Sequence, residues 1–330
     1  MASPLATIGV LSIGQMGLGI AKLLVAHNYT VLTNVANRSQ ATQERAQKAQ
    51  LGLVNTDVEL VARCDYILSI VPPRDAVATA ARVIDALNST PLPRPSSSSP
   101  LYYLDLNAIS PSTMTSIAEA FAQSPQKAMV IDGGIIGGPP SPIANSASWT
   151  CPGVPLSGPH PLHDAPLSGA HLASTLNTNH VGPTIGSASG LKCCFAALAK
   201  GMTALALQSF STAASLNVLP HLHSYLKMYN PRGGEAAERG ILGCPQKAYR
   251  WVEEMNQIGD CFAENGGWAE QASVFRQIAG VYEELAQVVE KRGGTDGMEN
   301  LGGTLGALQE GLEGGKKKSV GMEELEQEDR

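Results

Sequence analysis

Thr7-Ile-Gly-Val-Leu-Ser-Ile13, followed without a break by Gly14-Gln-Met-Gly17, is the stretch that decides the fold. The first seven residues are an apolar β-run. The glycines turn it sharply into the amphipathic stretch Leu18 to Ala26, and Tyr29 to Val35 is the next apolar run, ending in Asn37-Arg38-Ser39. A strand–turn–helix with glycines in the turn also serves plain packing, but strand, turn, helix and second strand at this spacing form a dinucleotide-binding unit. Its glycines let the backbone approach a pyrophosphate, and the helix start supplies free N–H groups and partial positive charge. The cofactor loop is therefore read as Ser12, Ile13, Gly14, Gln15, Met16 and Gly17. Ser12 replaces the first glycine of the usual G-x-G-x-x-G, and its side chain is expected to crowd the loop slightly. At the tip of the second strand no acidic residue awaits the ribose hydroxyls of NAD. Asn37, Arg38 and Ser39 offer a cation and a hydroxyl suited to a 2′-phosphate, so the expected cofactor is NADP(H).

Composition narrows the class. At 330 residues the chain has room for two domains; 43% of it is hydrophobic and only 16% charged. A net charge of −6 argues against a nucleic-acid surface. The one basic cluster, Lys316-Lys-Lys318, lies in an acidic, glycine-rich stretch and reads as solvated. No run approaches 18 uninterrupted apolar residues, so no membrane partner is expected. The start lacks the basic and apolar regions of a secretory signal. Six cysteines without a C-x-x-C pair predict neither a metal site nor a redox dithiol. The expectation is a reduced, cytoplasmic protein acting on a small molecule.

Beyond Ser39 apolar runs and helical stretches alternate. Gln40 to Gln50 and Asp57 to Arg63 read as helices and Val54 as a short strand. Tyr66-Ile-Leu-Ser-Ile-Val71 is a buried strand stopped by Pro72-Pro73, with a helix from Ala76 to Leu87. Asn88 to Pro100, with four prolines and a serine run, reads as a mobile surface loop. Strand Leu101 to Leu106, helix Ser112 to Gln123 and strand Ala128 to Ile131 complete a mostly parallel α/β sheet. Residues 137 to 185 read as irregular, with a strand near Trp149 to Leu156. Leu191 to Ser215 reads as one long, largely buried helix, and Pro245 to Glu264 and Trp268 to Lys291 as further helices. From Gly293 onward glycine pairs and acids predict a flexible tail.

Chemistry is expected where an α/β sheet presents its ligands, at the carboxyl ends of strands. Val71, Pro72 and Pro73 leave the sheet there, either as a simple strand stop or as a passage over a cofactor. In Asp105-Leu-Asn107-Ala-Ile-Ser110-Pro111, Asn107 can bond nicotinamide or substrate, and Ser110 or Ser112 can cap the next helix; turn chemistry alone also explains the segment. Asp132-Gly-Gly-Ile-Ile-Gly-Gly138 carries four glycines that let backbone amides line a pocket, or simply make a tight bend. Lys192, near the start of the long helix, is either a snorkelling surface residue or an acid–base group, and spacing does not choose between them.

These elements, in this order, resemble the β-hydroxyacid dehydrogenase superfamily, which includes 6-phosphogluconate and 3-hydroxyisobutyrate dehydrogenases, over roughly residues 5 to 290. Ile13 to Gly17 resembles its cofactor loop, Asn37-Arg38-Ser39 its NADP-preferring strand tip, and Asp105 to Pro111 its D-x-[SN]-x-x-x-P substrate segment. Asp132 to Pro140 and Lys247-Ala-Tyr-Arg-Trp-Val-Glu-Glu-Met255 are similar to a branch with a phosphogluconate-dehydrogenase-like C-terminal domain. The resemblance implies a Rossmann-type domain over residues 1–185, an all-α domain over 186–292 joined by the long helix, a tail over 293–330, and a homodimer through the helices. It implies Lys192 and Asn107 as catalytic residues, and Ser110, Gly134, Ile135, Ile136, Gly137 and Gly138 as substrate-binding ones. Ile136 stands where the family commonly carries serine, and Ala196 where it often carries asparagine. The implied activity is NADP-dependent hydride transfer to or from a small β-hydroxyacid-like substrate that is less polar, bulkier or differently charged than the family's usual ones. An imine reductase of the same architecture and a non-catalytic NADP-binding protein are the alternatives.

Overall fold

The computed structural model describes residues 3–91, 94 and 99–312. The chain divides into two compact units, Met1–Cys193 and Cys194–Arg330. The division falls inside the long helix rather than at residue 185, because that helix begins as part of the first unit.

In the first unit, β1 (Thr7–Leu11), α1 (Gln15–Ala26), β2 (Thr30–Asn34), α2 (Gln40–Lys48), β3 (Gly52–Val54), α3 (Asp57–Arg63), β4 (Tyr66–Ser69), α4 (Ala76–Leu87), β5 (Leu101–Asp105), α5 (Pro111–Gln123) and β6 (Ala128–Gly133) alternate as expected. With β9 (Val154–Ser157) and β10 (Thr178–Gly182), eight strands form one sheet of order β10-β9-β6-β5-β4-β1-β2-β3, parallel except where β6 meets β9. From β1 the chain steps outward to β2 and β3, then crosses back to β4 on β1's other side. The carboxyl ends of β1 and β4 therefore flank a switch point, where such sheets bind ligands. Side chains alternate between two cores: Ile8, Val10, Tyr66, Leu68 and Leu104 pack on one face, and Leu11, Ile67, Leu101 and Tyr103 on the other. That alternation makes the sheet strands nearly continuous apolar runs.

Residues 137 to 185 are more ordered than their composition predicts. They hold a small hairpin of β7 (Ser141–Pro142) and β8 (Trp149–Thr150), then β9 (Val154–Ser157), α6 (Gly169–Thr175) and β10 (Thr178–Gly182). Proline and glycine hide the pattern, since β10 forms the sheet edge and β9 is held between it and β6, where tertiary pairing decides. The loop expected over Asn88 to Pro100 lies in part (92–93 and 95–98) outside the described residues.

α7 (Ser187–Ser215) follows; by length and composition it is apolar enough to cross a membrane, although serines, threonines and two lysines interrupt the run, and 44% of its apolar window is buried within the protein. In the second unit come α8 (Leu219–Tyr229), α9 (Pro231–Gly243), α10 (Ala248–Glu264) and α11 (Val274–Arg292). α10 and α11 pack through the edge-on pairs Trp251–Tyr282 and Phe262–Phe275. Lys200, over the Trp251 ring, pairs with Glu254.

The flexible tail expected from Gly293 is corrected as far as residue 312. Gly293, at φ 72°, ends α11, and a further helix runs over 301–312. Met298 and Ala307 pack on Val288, and Gln309 bonds the Ser211 carbonyl at 3.1 Å. The four glycines of residues 301–312 dilute the apolar periodicity in the sequence, yet Gly311 fits against Val288 where a Cβ would lie 2.3 Å from its methyl. The rest of the expected tail, 313–330, lies outside the described residues.

The turn after β1 carries strain. Ser12 sits at φ 80°, in the left-handed region the missing glycine would adopt freely. Gly17 faces it, and a Cβ there would lie 1.9 Å from the Ser12 carbonyl oxygen, so only glycine fits. Left-handed geometry costs a serine roughly 1–2 kcal/mol, part of which glycine's extra unfolded-state entropy offsets. Ser12→Gly is therefore expected to stabilise the chain by about 1 kcal/mol, read as a higher urea midpoint. A lower midpoint would show that Ser12 carries no strain.

Candidate cofactor and substrate site

Three of the helices in the first unit start differently. α3 is capped by Thr56, whose side chain accepts from the Glu59 N–H at 3.1 Å, and α5 by Ser110, which accepts from Thr113 N–H at 3.2 Å. α1 starts at Gly14 with no side-chain cap and no acidic residue in its first turn. Its leading N–H groups and dipole are left for an anion.

Beside this start lies a cleft of about 250 Å³. Of the residues expected to hold a cofactor, Ser12, Ile13, Gly14, Arg38, Val71 and Pro72 line it. The other expected cofactor residues do not form its wall. Gly17 closes the turn behind it, Met16 packs on the core, Pro73 is buried, and Gln15 and Asn37 are exposed. Ser39 holds Thr42 through a 3.0 Å hydroxyl contact. The cleft also takes in residues that sequence reading missed: Thr42 and Arg45 from α2, and Arg82 from α4. Arg45 donates to the Thr42 hydroxyl at 3.0 Å, and the signal was the helical spacing Ser39, Thr42, Arg45. Arg82 is neutralised by Asp57, with bonds of 2.9 and 3.0 Å, and Asn34 orients that carboxylate. Arg38 and Arg45 make no ion pair among the described residues, so two guanidinium groups stand ready for an anion.

Asn107 does not project toward a substrate. It is buried, its Oδ1 accepts from Val71 N–H at 2.7 Å and its Nδ2 donates to Ser69 Oγ at 3.0 Å. It thereby ties the end of β5 to the segment that forms the cleft wall. Asp105 Oδ1 accepts from Asn107 N–H at 3.1 Å. Full burial pushes the Asp105 carboxyl up to about 7; the bonds from Asn107 oppose the shift, and the neighbouring Asp132 adds to it. Ser110 is likewise buried and spent on its helix cap rather than on a ligand.

Asp132, at the end of β6, is fully buried and receives five donors. Oδ2 accepts from Ser157 Oγ at 2.7 Å and from the N–H groups of Gly186, Ala188 and Ser189 at 2.9, 3.0 and 3.2 Å. Oδ1 accepts from Ser189 Oγ at 2.5 Å. A carboxylate here meets the unsatisfied amides and positive dipole end of α7. Lys192 follows in the next turn. Its stem lies on Gly134, where an added Cβ would stand 2.9 Å from Lys192 Cβ, and its Nζ donates to the Ile135 carbonyl. The expectation of free amides along the glycine loop needs correcting: Gly134 N–H donates to Pro155 O at 3.1 Å, and Ile136 exchanges bonds of 2.8 and 2.9 Å with Gly153. Gly137 and Gly138 are exposed, and Ala196 is buried.

Residues 7–148 match the NAD binding domain of 6-phosphogluconate dehydrogenase, and residues 213–285 match a domain of unknown function, DUF1932. No curated protein matches the chain by sequence. A conserved hypothetical protein from Sinorhizobium meliloti 1021 has the same fold, with a TM-score of 0.61 and 19% identity over 94% of this chain and 97% of its own. A 3-hydroxyisobutyrate dehydrogenase of Mycobacterium tuberculosis, solved with L-serine, gives 0.56 and 15% over 92% and 98%. An imine reductase from Myxococcus stipitatus in complex with NADP+ gives 0.50 and 18% over 92% and 99%.

Replacing one Asp132 oxygen by an NH2 group would turn a donor toward donors and leave buried N–H groups unsatisfied. Asp132→Asn is expected to cost about 3 kcal/mol or more in chemical unfolding. A loss under about 1 kcal/mol would mean that the helix start is held by something else.

Proposed function

We propose that this chain, which belongs to the β-hydroxyacid dehydrogenase superfamily, is an NADP(H)-dependent oxidoreductase acting on a hydroxyl or carbonyl carbon of a small acid. The observation that carries the reading is Lys192, held by the Asp132-anchored start of α7 in the same unit as a nucleotide cleft with two unpaired arginines. The cleft's residues suit the cofactor. The start of α1 takes the pyrophosphate, Arg38 with Arg45 and the hydroxyls of Ser39 and Thr42 take the 2′-phosphate, and Val71 and Pro72 wall the far side.

When bound, the cofactor supplies the hydride donor or acceptor. In reduction Lys192 Nζ gives its proton to the forming alkoxide; in oxidation the neutral amine takes the hydroxyl proton. Asp132 fixes where that nitrogen stands, and the Ile135 carbonyl fixes its direction, so the proton moves along a set path. Ile136 brings no polar group, which favours a substrate with an apolar body. An ammonium beside a cationic iminium is repelled, so Lys192 favours the hydroxyl/carbonyl reading over imine reduction.

α7 also exposes Leu191, Phe195, Leu198, Met202 and Leu205 at alternating spacings of four and three. Such a stripe is the seam of a helix pair, and supports a homodimer; light scattering is expected to give twice the chain mass, and a monomer at micromolar concentration would refute it.

Fluorescence titration tests the cofactor reading. The wild type is expected to bind NADPH at least about tenfold more tightly than NADH, and the Arg38→Ala/Arg45→Ala variant to lose that preference, as two charge-assisted contacts disappear. With a panel of β-hydroxy and β-keto acids, Lys192→Ala is expected to lower turnover by about 10²-fold or more while NADPH affinity holds. Tight cofactor binding without hydride transfer to any acid would favour a non-catalytic NADP-binding protein.

A further inference from the structure

The carboxyl ends of the central strands carry a buried polar row. Pairing sets Ser69 opposite Asp105, Asp105 opposite Asp132, and Asp132 opposite Ser157. All four are fully buried. Two carboxyl groups thus stand on adjacent strands, and they are supplied unequally. Asp132 takes five donors from Ser157 and the start of α7. Asp105 takes the Asn107 N–H at 3.1 Å and a long contact from the Tyr103 hydroxyl at 3.4 Å. Asp105 is poorer in donors, and burial, with a smaller contribution from the neighbouring Asp132, pushes its carboxyl upward.

What Asp105 holds matters for the cleft. Its Oδ1 grips the backbone of Asn107, and the Asn107 side chain spans Ser69 and the Val71 N–H. Val71 and Pro72 are cleft wall. Two consecutive hydrogen bonds, with a side branch to Ser69, therefore lead from a buried carboxyl to the surface on which the cofactor would rest.

We propose that Asp105 is a positioning residue that makes the cleft's grip on NADP(H) depend on pH, by holding Asn107 and, through it, the Val71–Pro72 wall when it is ionised and releasing them when it is protonated. The inference rests on the cofactor reading above. The donors that face Asp105, Asn107 and Tyr103, all strengthen toward a charged oxygen and slacken toward a neutral one. The ionisable groups facing it are Tyr103 on its own strand, held neutral because burial raises its hydroxyl well above the usual range, and Asp132 on β6. Protonation from about pH 8 to 6 crosses the range in which the buried Asp105 titrates, near 7, so affinity falls as pH falls.

The test is NADPH titration of the full chain from pH 5.5 to 8.5. The wild type is expected to bind several-fold more tightly at pH 8 than at pH 6, with a midpoint near 7. Asp105→Asn, which cannot ionise, is expected to lose that step; because ionisation of the NADPH phosphate is common to both proteins, the difference between their profiles belongs to Asp105. Tyr103→Phe removes a donor to the carboxylate and is expected to move the midpoint upward, and it serves where the Asn variant does not fold. Identical profiles in wild type and either folded variant overturn the role of Asp105 and leave the cofactor reading intact. No NADPH binding by the wild type at any pH overturns the cofactor reading itself, and this inference with it.

Discussion

One buried carboxylate organises the chemistry of the first unit. Burying Asp132 in the sheet costs several kcal/mol of lost hydration, and five hydrogen bonds together with the α7 dipole offset it. The bonds reach residues 54 to 57 positions along the chain. They fix the rotation of α7 at its first turn, so Lys192 lies over Gly134 and Ile135 and not elsewhere on the surface. The absence of a Cβ at Gly134 is the other half of that constraint.

The same end of the sheet serves two purposes through different residues. Across β4, β5 and β6, buried Ser69, Asn107, Asp105 and Asp132 bond to one another's surroundings and make the scaffold rigid. Beyond β1, the cleft is furnished by the uncapped start of α1 and by the guanidinium groups of Arg38 and Arg45, which make no ion pair among the described residues. Polar groups that the sheet consumes cannot also bind a ligand, and this separates framework from site more sharply than sequence position does.

The β1–turn–α1 unit, the parallel sheet and Arg38 were legible in the sequence because they rest on local patterns: apolar runs, glycine spacing, a cation at a strand tip. Even Ser12 was readable as a misfit, and its left-handed φ bears this out. Asn107, Ser110, Gly134 and Ile136 were read as groups facing a ligand, and the structure spends their polar atoms on Val71, a helix cap, Pro155 and Gly153. Whether an amide or hydroxyl is free depends on partners brought in by the fold, and no local spacing reports that. The anchoring of α7 by Asp132 was hidden for the same reason. Arg45 was hidden differently: its distance from Arg38 looks large along the chain but closes over two turns of α2. Residues 301–312 were misread because their glycines, which permit close packing on α11, resemble those of a flexible tail.

A crystal structure of the full chain with NADPH tests the central claim most directly. The account predicts the pyrophosphate over the start of α1, the 2′-phosphate between Arg38 and Arg45, and the nicotinamide on the side of Lys192, with the Asp132 bonds to α7 intact. A dinucleotide bound with its 2′-phosphate away from both arginines, or with its nicotinamide turned away from Lys192, would contradict it.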